Sequence, residues 1–291
     1  MHKFLFLFFL LNVYVSAVAQ DSTSVPVADT LKVKKWDASV DVLSRYIWRG
    51  QAYGGDFIAV QPAFNYAISD KWSVGVWATT NFKDEYYYRD GDTPNKGYQE
   101  FDFGVTYQVN DYLAISVWDY YWPTLHRMEG EEKSYFNYSE NGVKTVDATV
   151  EFDFSEGYKY PFNGTISTFI LGNDYRYNSD GENPKQNFTT YMEIGYTFYD
   201  IFKRISASNV VQNINLDPTI GAVVNNQAGY YGAADYSGIS FINLALSASR
   251  EFDLGHGVTM PVSLNYTHNA ARNNTETDGR DFLVAGVSIQ I

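Results

Sequence analysis

The chain has 291 residues and a formal net charge of −13, from 34 Asp and Glu against 21 Lys and Arg. This acidic excess argues against nucleic acid as a partner, because phosphate binding needs clustered basic side chains. The chain contains no Cys, which excludes disulfides, thiol nucleophiles, Cys-ligated metals and a lipid-anchored Cys. Tyr, Phe and Trp make up 18% of the residues, a share that suits the aromatic interfaces of a membrane barrel.

The first 19 residues predict a secretory signal peptide. Lys3 precedes an apolar run from Phe4 to Val18, and the run ends in a small-x-small cleavage pattern that finishes at Ala19. Residues 20–35 are polar and predict a flexible periplasmic tail, and residues 36–291 predict one barrel domain. No later apolar run reaches the roughly 18 residues that a membrane helix needs.

The remaining chain alternates apolar and polar residues, which predicts strands with one apolar and one polar face. The last strand shows the pattern at its end, where Val287, Ile289 and Ile291 alternate with Ser288 and Gln290. Twelve strands are predicted, at about residues 36–48, 57–68, 72–82, 98–109, 112–122, 145–154, 164–172, 188–199, 201–212, 238–252, 258–268 and 280–291.

The connections between these strands are alternately short and long. Ser69 to Lys71 and Asn110-Asp111 predict tight turns, whereas residues 123–144 and 213–237 form long polar loops. This rhythm places all short turns on one rim, as in bacterial outer-membrane barrels, and a soluble sandwich gives no reason for it. We therefore predict an all-β, antiparallel, up-and-down transmembrane barrel of twelve strands, with ten or fourteen as the alternatives.

If the apolar faces contact lipid, the opposite positions line the lumen. The resulting water-filled lumen should prefer cations, since acids outnumber Arg there, and the alternative is a closed ion-pair network that conducts nothing. Asp119 falls among the apolar positions of its strand and receives no role. The predicted lumen charges are Asp41, Arg45, Arg49, Glu100, Asp102, Asp147, Glu151, Asp153, Glu193, Arg204 and Glu251.

Arg49 stands at the end of the first predicted strand, just before Gly50. A guanidinium can bind a carboxylate through two parallel hydrogen bonds, which Lys cannot reproduce. We expect Arg49 to hold strand 1 against the lumen wall through Glu100 or Asp102. The alternative is a solvated Arg at the rim, worth under about 1 kcal/mol.

The segment Ser44-Arg45-Tyr46-Ile47-Trp48-Arg49-Gly50 resembles the Ser-x-Tyr-apolar-aromatic-Arg-Gly segment of the TorF-like outer-membrane porin family. Gln61 and the segment 72–77 after a tight turn are also similar to that family, and the match covers about residues 38–80. The resemblance implies a barrel with channel activity and identifies no substrate.

An enzymatic function is not predicted. The mature chain has only three histidines, His126, His256 and His268, and none has a Ser two residues away in a strand. We predict an outer-membrane channel that passes small hydrophilic solutes by diffusion and needs no cofactor or metal. Its expected partners are outer-membrane lipids, the solutes and the barrel-assembly machinery during insertion. The alternative function is a non-conducting barrel with a structural or loop-mediated binding role.

Overall fold

The computed structural model describes residues 34–83, 86–87, 97–126, 132–154, 160–177, 183–203, 209–231, 238–271 and 279–291. The predicted signal peptide and all of the predicted tail before residue 34 lie outside this part of the chain, as does Arg204.

Twelve antiparallel strands close into one barrel, in which each strand pairs with its neighbours in the chain. The first and last strands complete the ring, and Val40 lies opposite both Ile289 and Pro62. This closure confirms the predicted barrel and its strand number. The strands are β1 Trp36–Leu43, β2 Ala59–Ala67, β3 Trp72–Thr80, β4 Gln99–Asn110, β5 Leu113–Tyr121, β6 Lys144–Asp153, β7 Phe162–Gly172, β8 Thr190–Tyr196, β9 Asn215–Val224, β10 Ser240–Gly255, β11 Val258–His268 and β12 Asp281–Gln290.

Smaller elements lie between the barrel strands. Residues 201–203 form a turn, and a single helical turn spans Asn209–Gln212. The two-residue or three-residue pairs are Tyr46–Trp48 with Gln51–Tyr53, Tyr86–Tyr87 with Leu125–His126, and Tyr175–Arg176 with Lys185–Gln186. No helix within the described residues is long and apolar enough to cross a membrane.

The ninth strand was predicted in the wrong place. It spans Asn215–Val224, inside the predicted loop, and not residues 201–212. The segment 213–237 was predicted to be a loop because it is rich in Gly, Asn, Gln and Asp, and its Pro218 lacks the N–H that a central strand needs. The structure accommodates it where the β8–β9 ladder is interrupted, between the Gly195–Thr219 pair and the isolated bridge from Phe198 to Leu216.

The two rims differ as predicted, with one exception. Short connections join β2 to β3, β4 to β5 and β10 to β11 at the rim that we call the short-turn rim. The β8–β9 connection, residues 197–214, is longer than the predicted turn at Asp200. The other rim, the long-loop rim, carries the remaining long connections.

The outer wall of the barrel is apolar and exposed. Val40, Phe103 and Ile194, for example, are 43%, 42% and 48% exposed at alternate strand positions. Aromatic pairs border this wall at the short-turn rim, with ring centroids 4.8 Å apart for Trp72 and Tyr107. A continuous apolar wall with an aromatic border is suited to contact lipid, whereas monomeric proteins in water rarely expose such a surface.

Candidate functional site in the barrel lumen

The chain between β1 and β2 folds into the lumen as a small hairpin. Its strands, Tyr46–Trp48 and Gln51–Tyr53, are joined by a two-residue turn at Arg49 and Gly50. Both turn residues have positive φ, 47° and 77°, as a type I′ hairpin turn requires. We call residues 46–53 the lumen hairpin. The predicted first strand, which continued to Trp48, in fact ends at Leu43.

The tip of the lumen hairpin is packed against β10. A Cβ atom added to Gly50 would lie 1.7 Å from the backbone oxygen of Ile242. The Asn269 side-chain amide donates a hydrogen bond of 2.9 Å to the Gly50 carbonyl, which fixes the tip from the β11–β12 loop. Only glycine satisfies both the left-handed backbone and this close approach.

Aromatic side chains fill the long-loop half of the lumen around the hairpin. Trp48 contacts Tyr120 and Tyr231, with ring centroids 5.8 Å and 5.9 Å away, and Tyr46 contacts Trp77 and Tyr98 at 5.7 Å each. The buried cluster, which we call the aromatic plug, comprises Tyr46, Ala59, Trp77, Tyr98, Trp118, Tyr120, Trp122, Val143, Phe169, Tyr191, Val223, Tyr230, Tyr231, Ile242 and Ala271, with Trp48 and Tyr53 packed against it.

A second apolar cluster fills the space on the other side of the hairpin. Ile47 packs there with Leu43, Phe282 and Val284, and Ala52 lies against this group. Together the two clusters join the hairpin to the wall on both sides. The described residues therefore form a packed layer across the lumen near the long-loop rim.

Arg49 lies at the centre of this layer. Its Nη2 is 2.9 Å from Asp147 Oδ2 on β6, and its Nη1 donates a 2.6 Å hydrogen bond to the Tyr231 hydroxyl. Its guanidinium also stacks over the rings of Trp48 and Tyr191, at 4.4 Å and 4.8 Å. Burial lowers the pKa of Arg49, but the Tyr231 oxygen and the Asp147 carboxylate outweigh burial and raise that pKa well above its ordinary value, so Arg49 stays charged.

The predicted partners of Arg49 are therefore wrong. Glu100 accepts hydrogen bonds of 2.9 Å from Tyr98 and 3.4 Å from Tyr46, and Asp102 is buried beside β5. The physical reason is that the hairpin carries Arg49 across the lumen, whereas a continued strand would have kept it beside β1. Its tip therefore reaches β6, on the far side of the ring.

Asp147 is a fully buried carboxylate that several groups share. Its Oδ2 also accepts hydrogen bonds from Ser167, at 2.7 Å, and from Tyr120, at 3.2 Å. These neutral donors hold the carboxylate in place beneath the hairpin tip. Asp147 is thus the fixed element to which the hairpin attaches.

Arg45 was predicted to be a strand residue that points into the lumen. It instead follows β1, forms an ion pair of 2.6 Å with the exposed Asp56, and lies 4.8 Å from the centre of the Phe282 ring. It therefore belongs to the base of the hairpin, on the side of β12. The Arg45 side chain is only 15% exposed, whereas its partner Asp56 is 87% exposed, so the ion pair as a whole is in contact with solvent.

The charges of the strands are separated by face. Within the twelve described strands, every Asp and Glu except Asp119 and Asp281 takes an inward position, and both Lys144 and Arg250 take outward positions. Glu193 accepts hydrogen bonds from Tyr191 and from Asn243, the latter at 2.7 Å. The inward acids from the prediction are Asp41, Glu100, Asp102, Asp147, Glu151, Asp153, Glu193 and Glu251, of which Asp153 and Glu251 are exposed near the short-turn rim.

Three inward acids were not predicted: Asp37, Asp217 and Asp253. Asp217 was missed because its strand was misplaced, although Leu216, Ile220 and Val224 repeat at even spacing around it. The lumen hairpin was missed as well, although the short alternating segments on each side of Arg49-Gly50 were a signal for a two-residue turn.

The middle and the short-turn half of the lumen are polar. Buried side-chain oxygens of Ser116, Thr149, Thr165 and Ser263 have no hydrogen-bond partner among the described residues, and neither does Oδ1 of Asp217. Such groups are satisfied by water in native proteins, since an unsatisfied buried polar atom costs about 1–3 kcal/mol. The lumen thus has a half lined by polar side chains and a half filled by the aromatic plug, in which Asp147 Oδ1 and Gln51 Nε2 likewise have no hydrogen-bond partner among the described residues.

Comparisons with known proteins add fold-level likeness only. No family model matches the chain, and no curated protein matches it, so the TorF-like resemblance stays a prediction. Among solved structures, the NanC porin aligns at TM-score 0.46 and 8% identity, over 87% of this chain and 98% of that one. An outer membrane channel from Pseudomonas putida F1 aligns at TM-score 0.46 and 10% identity, over 91% of this chain and 98% of that one. LpxR from Salmonella typhimurium aligns at TM-score 0.41 and 10% identity, over 88% of this chain and 99% of that one. These identities are too low to transfer a function.

Proposed function

We propose that this protein is an outer-membrane channel for small hydrophilic solutes, and that the structure represents its closed state. The observation that carries the proposal is the division of the lumen. Its short-turn half is lined by hydroxyl and carboxyl groups that need water, and its long-loop half is closed by the lumen hairpin and the aromatic plug.

The polar half favours a conducting role over a purely structural one. A barrel that only supports the envelope can fill its interior with ion pairs or apolar side chains, as small barrels do. Here Ser116, Thr149 and Thr165 line neighbouring strands β5, β6 and β7, and Ser263 lies on the opposite wall, on β11. Water held between these walls provides a path for hydrophilic solutes as far as the plug.

The charges of this path favour cations. The inward positions of the described strands carry acids and no Lys or Arg, so the wall attracts cations and repels anions. Arg49, which pairs with Asp147 inside the lumen, belongs to the lumen hairpin and not to the wall. Displacement of the hairpin would therefore remove positive charge from the lumen as well as open it.

The lumen hairpin is the part that must move for conduction. Its covalent connections to the barrel strands are at its two ends, and Arg49 connects its tip to Asp147 and Tyr231. We infer that loss of this connection, together with separation of Trp48 from Tyr120 and Tyr231, opens the long-loop half. The fixed strands of the barrel need not change.

The test is single-channel recording in planar bilayers with the wild type, Arg49→Ala and Trp48→Ala. Each variant is first checked for an intact barrel by its faster migration on a gel when unheated. We expect rare steps for the wild type and a higher open probability for both variants. Lys203→Ala is the matched control, because Lys203 is exposed at the short-turn rim and forms only an exposed pair with Asp200, 3.1 Å away.

Silence of the wild type and of both folded variants would overturn the proposal and favour the second candidate, a non-conducting barrel. The dense aromatic plug is the observation that favours this second candidate. Under either function we propose an outer-membrane location, with the long loops outside the cell, the short turns in the periplasm, contact with outer-membrane lipids and insertion by the barrel-assembly machinery.

A further inference from the structure

A second group of polar side chains lies on the outward face of the barrel. Asp119 and Lys144 occupy outward positions on β5 and β6, and Lys144 Nζ is 2.6 Å from Asp119 Oδ2. Lys144 is nevertheless fully buried, and the Asp119 side chain is only 18% exposed. Something therefore covers this ion pair on the side that faces lipid.

The cover is the β5–β6 loop, of which the structure describes residues 122–126 and 132–143, and the second of these parts lies over the ion pair. We call this part the outer-face loop. Tyr138 donates a 2.9 Å hydrogen bond to Asp119, and Lys144 Nζ lies 3.3 Å from the centre of the Tyr135 ring. The Tyr121 hydroxyl donates to the Lys133 carbonyl at 2.8 Å. These contacts attach the loop to the outside of the wall, and not over the lumen.

The hydroxyl of Tyr138 remains a donor at any physiological pH. Burial, together with the hydrogen bond to Asp119, raises the pKa of Tyr138 to about 12. The contacts converge on one carboxylate oxygen: Asp119 Oδ2 receives Lys144 and two tyrosine hydroxyls, and Lys144 lies against aromatic faces. A charge pair at a lipid-facing position is costly unless it is shielded in this way.

The loop exposes one large apolar side chain. Phe136 is 82% exposed, and its ring meets the Tyr135 ring edge-on, with the centroids 5.2 Å apart. It is one of several exposed apolar residues near the strand ends of the long-loop rim. The others are Ile58, Phe82, Phe188 and Ile239, which are 60%, 74%, 51% and 66% exposed.

We propose that the outer-face loop lies in the interfacial region of the outer leaflet and inserts Phe136 among lipid acyl chains. The occupant is lipid because the surface continues the apolar outer wall, where Val117, two residues before Asp119 on the same face, and Phe103, the partner of Asp119 on β4, are both exposed. The loop thereby extends the aromatic border of the barrel and keeps a charge pair out of lipid. The inference rests on the proposed membrane placement but not on conduction.

Site-directed spin labelling tests this inference, since the chain has no Cys and a single introduced Cys is unique. Phe136→Cys, Leu283→Cys and Asn141→Cys are labelled with a nitroxide in phosphatidylcholine vesicles. Leu283 is an outward residue of β12 with 64% exposure, and Asn141 is an exposed polar residue of the same loop. We expect the Phe136 label to be as accessible to oxygen and as inaccessible to a nickel chelate as the Leu283 label, because oxygen partitions into the apolar part of the bilayer and the polar chelate stays in water.

The outcomes separate the inference from the proposed function. If the nickel chelate reaches the Phe136 label as readily as the Asn141 label while the Leu283 label stays protected, the loop inference alone is overturned. If the nickel chelate reaches the Leu283 label, the membrane placement is overturned. Spin–spin broadening of the Phe136 label that disappears on dilution with unlabelled protein would identify a second copy of the chain, and not lipid, as the occupant. That result would also overturn the loop inference.

A second arm tests the attachment of the loop. In an Asp119→Ala background, the Phe136 label should become more accessible to the nickel chelate, because Tyr138 and Lys144 lose their common partner. Asp281→Ala is the control, since Asp281 is also an outward acid at the long-loop rim but pairs with His268 and Tyr266. An unchanged Phe136 label in Asp119→Ala overturns the role of this ion pair.

Discussion

Arg49 combines two properties that rarely occur together: it is buried, and it lies at the tip of a two-residue turn. Its charge is stabilised by one carboxylate, one phenol and two aromatic faces. The partners come from β6, β8, the β9–β10 loop and the hairpin itself. A single side chain therefore connects parts of the barrel that are far apart in sequence.

Arg49→Ala should lower the free energy of unfolding by about 3–5 kcal/mol, because it leaves Asp147 buried without its cation. Arg49→Lys should recover little, since one ammonium cannot reach both Asp147 and Tyr231 while stacking on aromatic rings. The measurement is the urea midpoint of the reconstituted protein. The double variant Arg49→Met with Asp147→Leu should be closer to wild type than Arg49→Ala. Equal stability of Arg49→Ala and wild type would contradict the role of the pair.

Gly50 provides a second test at the same site. Gly50→Ala should displace the hairpin from β10, because its Cβ would overlap the Ile242 carbonyl, and we expect a higher open probability in bilayers. The matched control is Gly257→Ala. Gly257 has the same φ of 77° but has nothing within 4 Å of an added Cβ, so it carries the backbone strain without the clash. If both variants conduct alike, close packing at Gly50 does not hold the channel closed.

At the scale of elements, the connections decide what the barrel contains. The β1–β2 connection enters the lumen, the β5–β6 connection lies on the outer wall, and residues 226–231 contribute Tyr230 and Tyr231 to the plug. All three start from the same rim. Their different courses follow from their side chains: aromatic and apolar residues enter the plug, and the tyrosines of the outer-face loop bind a charged pair.

The corrected position of β9 gives a topological prediction. Residues 201–203 form an exposed turn at the short-turn rim, whereas the sequence prediction placed them in a membrane strand. Lys203→Cys should therefore react with a membrane-impermeant maleimide only after the outer membrane is permeabilised. Asn141→Cys, on the long-loop rim, should react on intact cells, and Lys71→Cys should behave like Lys203→Cys. Labelling of Lys203→Cys on intact cells would contradict the assignment of the rims.

At the scale of the whole molecule, charge and hydropathy are arranged in concentric layers. The outer wall is apolar, the inner wall is acidic, and Arg49, which pairs with Asp147, belongs to the hairpin that fills the lumen. An acidic wall of this kind repels itself when the lumen is dry, so hydration and bound cations stabilise it. In the closed state that we propose, Arg49 of the hairpin takes the place of such a cation beside Asp147.

This arrangement predicts a cation-preferring pore. Reversal potentials in a salt gradient should show preference for K⁺ over Cl⁻, and the preference should fall at high salt as the charges are screened. Asp217→Asn should reduce the preference, because Asp217 lies in the polar half. Asp281→Asn should not, because Asp281 faces outward. Anion preference of the wild type would contradict the charge assignment of the wall.

The sequence determined the architecture of the protein. Alternation with period two, the order of short and long connections and the acidic composition were sufficient to predict the barrel and most of the acids on its inner face. These features are local, because each strand places successive side chains on opposite faces irrespective of its neighbours. Where composition outweighed the local pattern, as in the Asn-rich and Gly-rich stretch that contains β9, the prediction failed.

The tertiary structure alone decided where the connections go and which charges meet. No local pattern states that Arg49 crosses the lumen to Asp147, 98 residues later, or that residues 132–143 cover Asp119 and Lys144. These contacts depend on closure of the ring, which brings distant strands to opposite sides of one narrow space. A one-dimensional pattern fixes the face of each residue, but the partner across the lumen is fixed only when the barrel is complete.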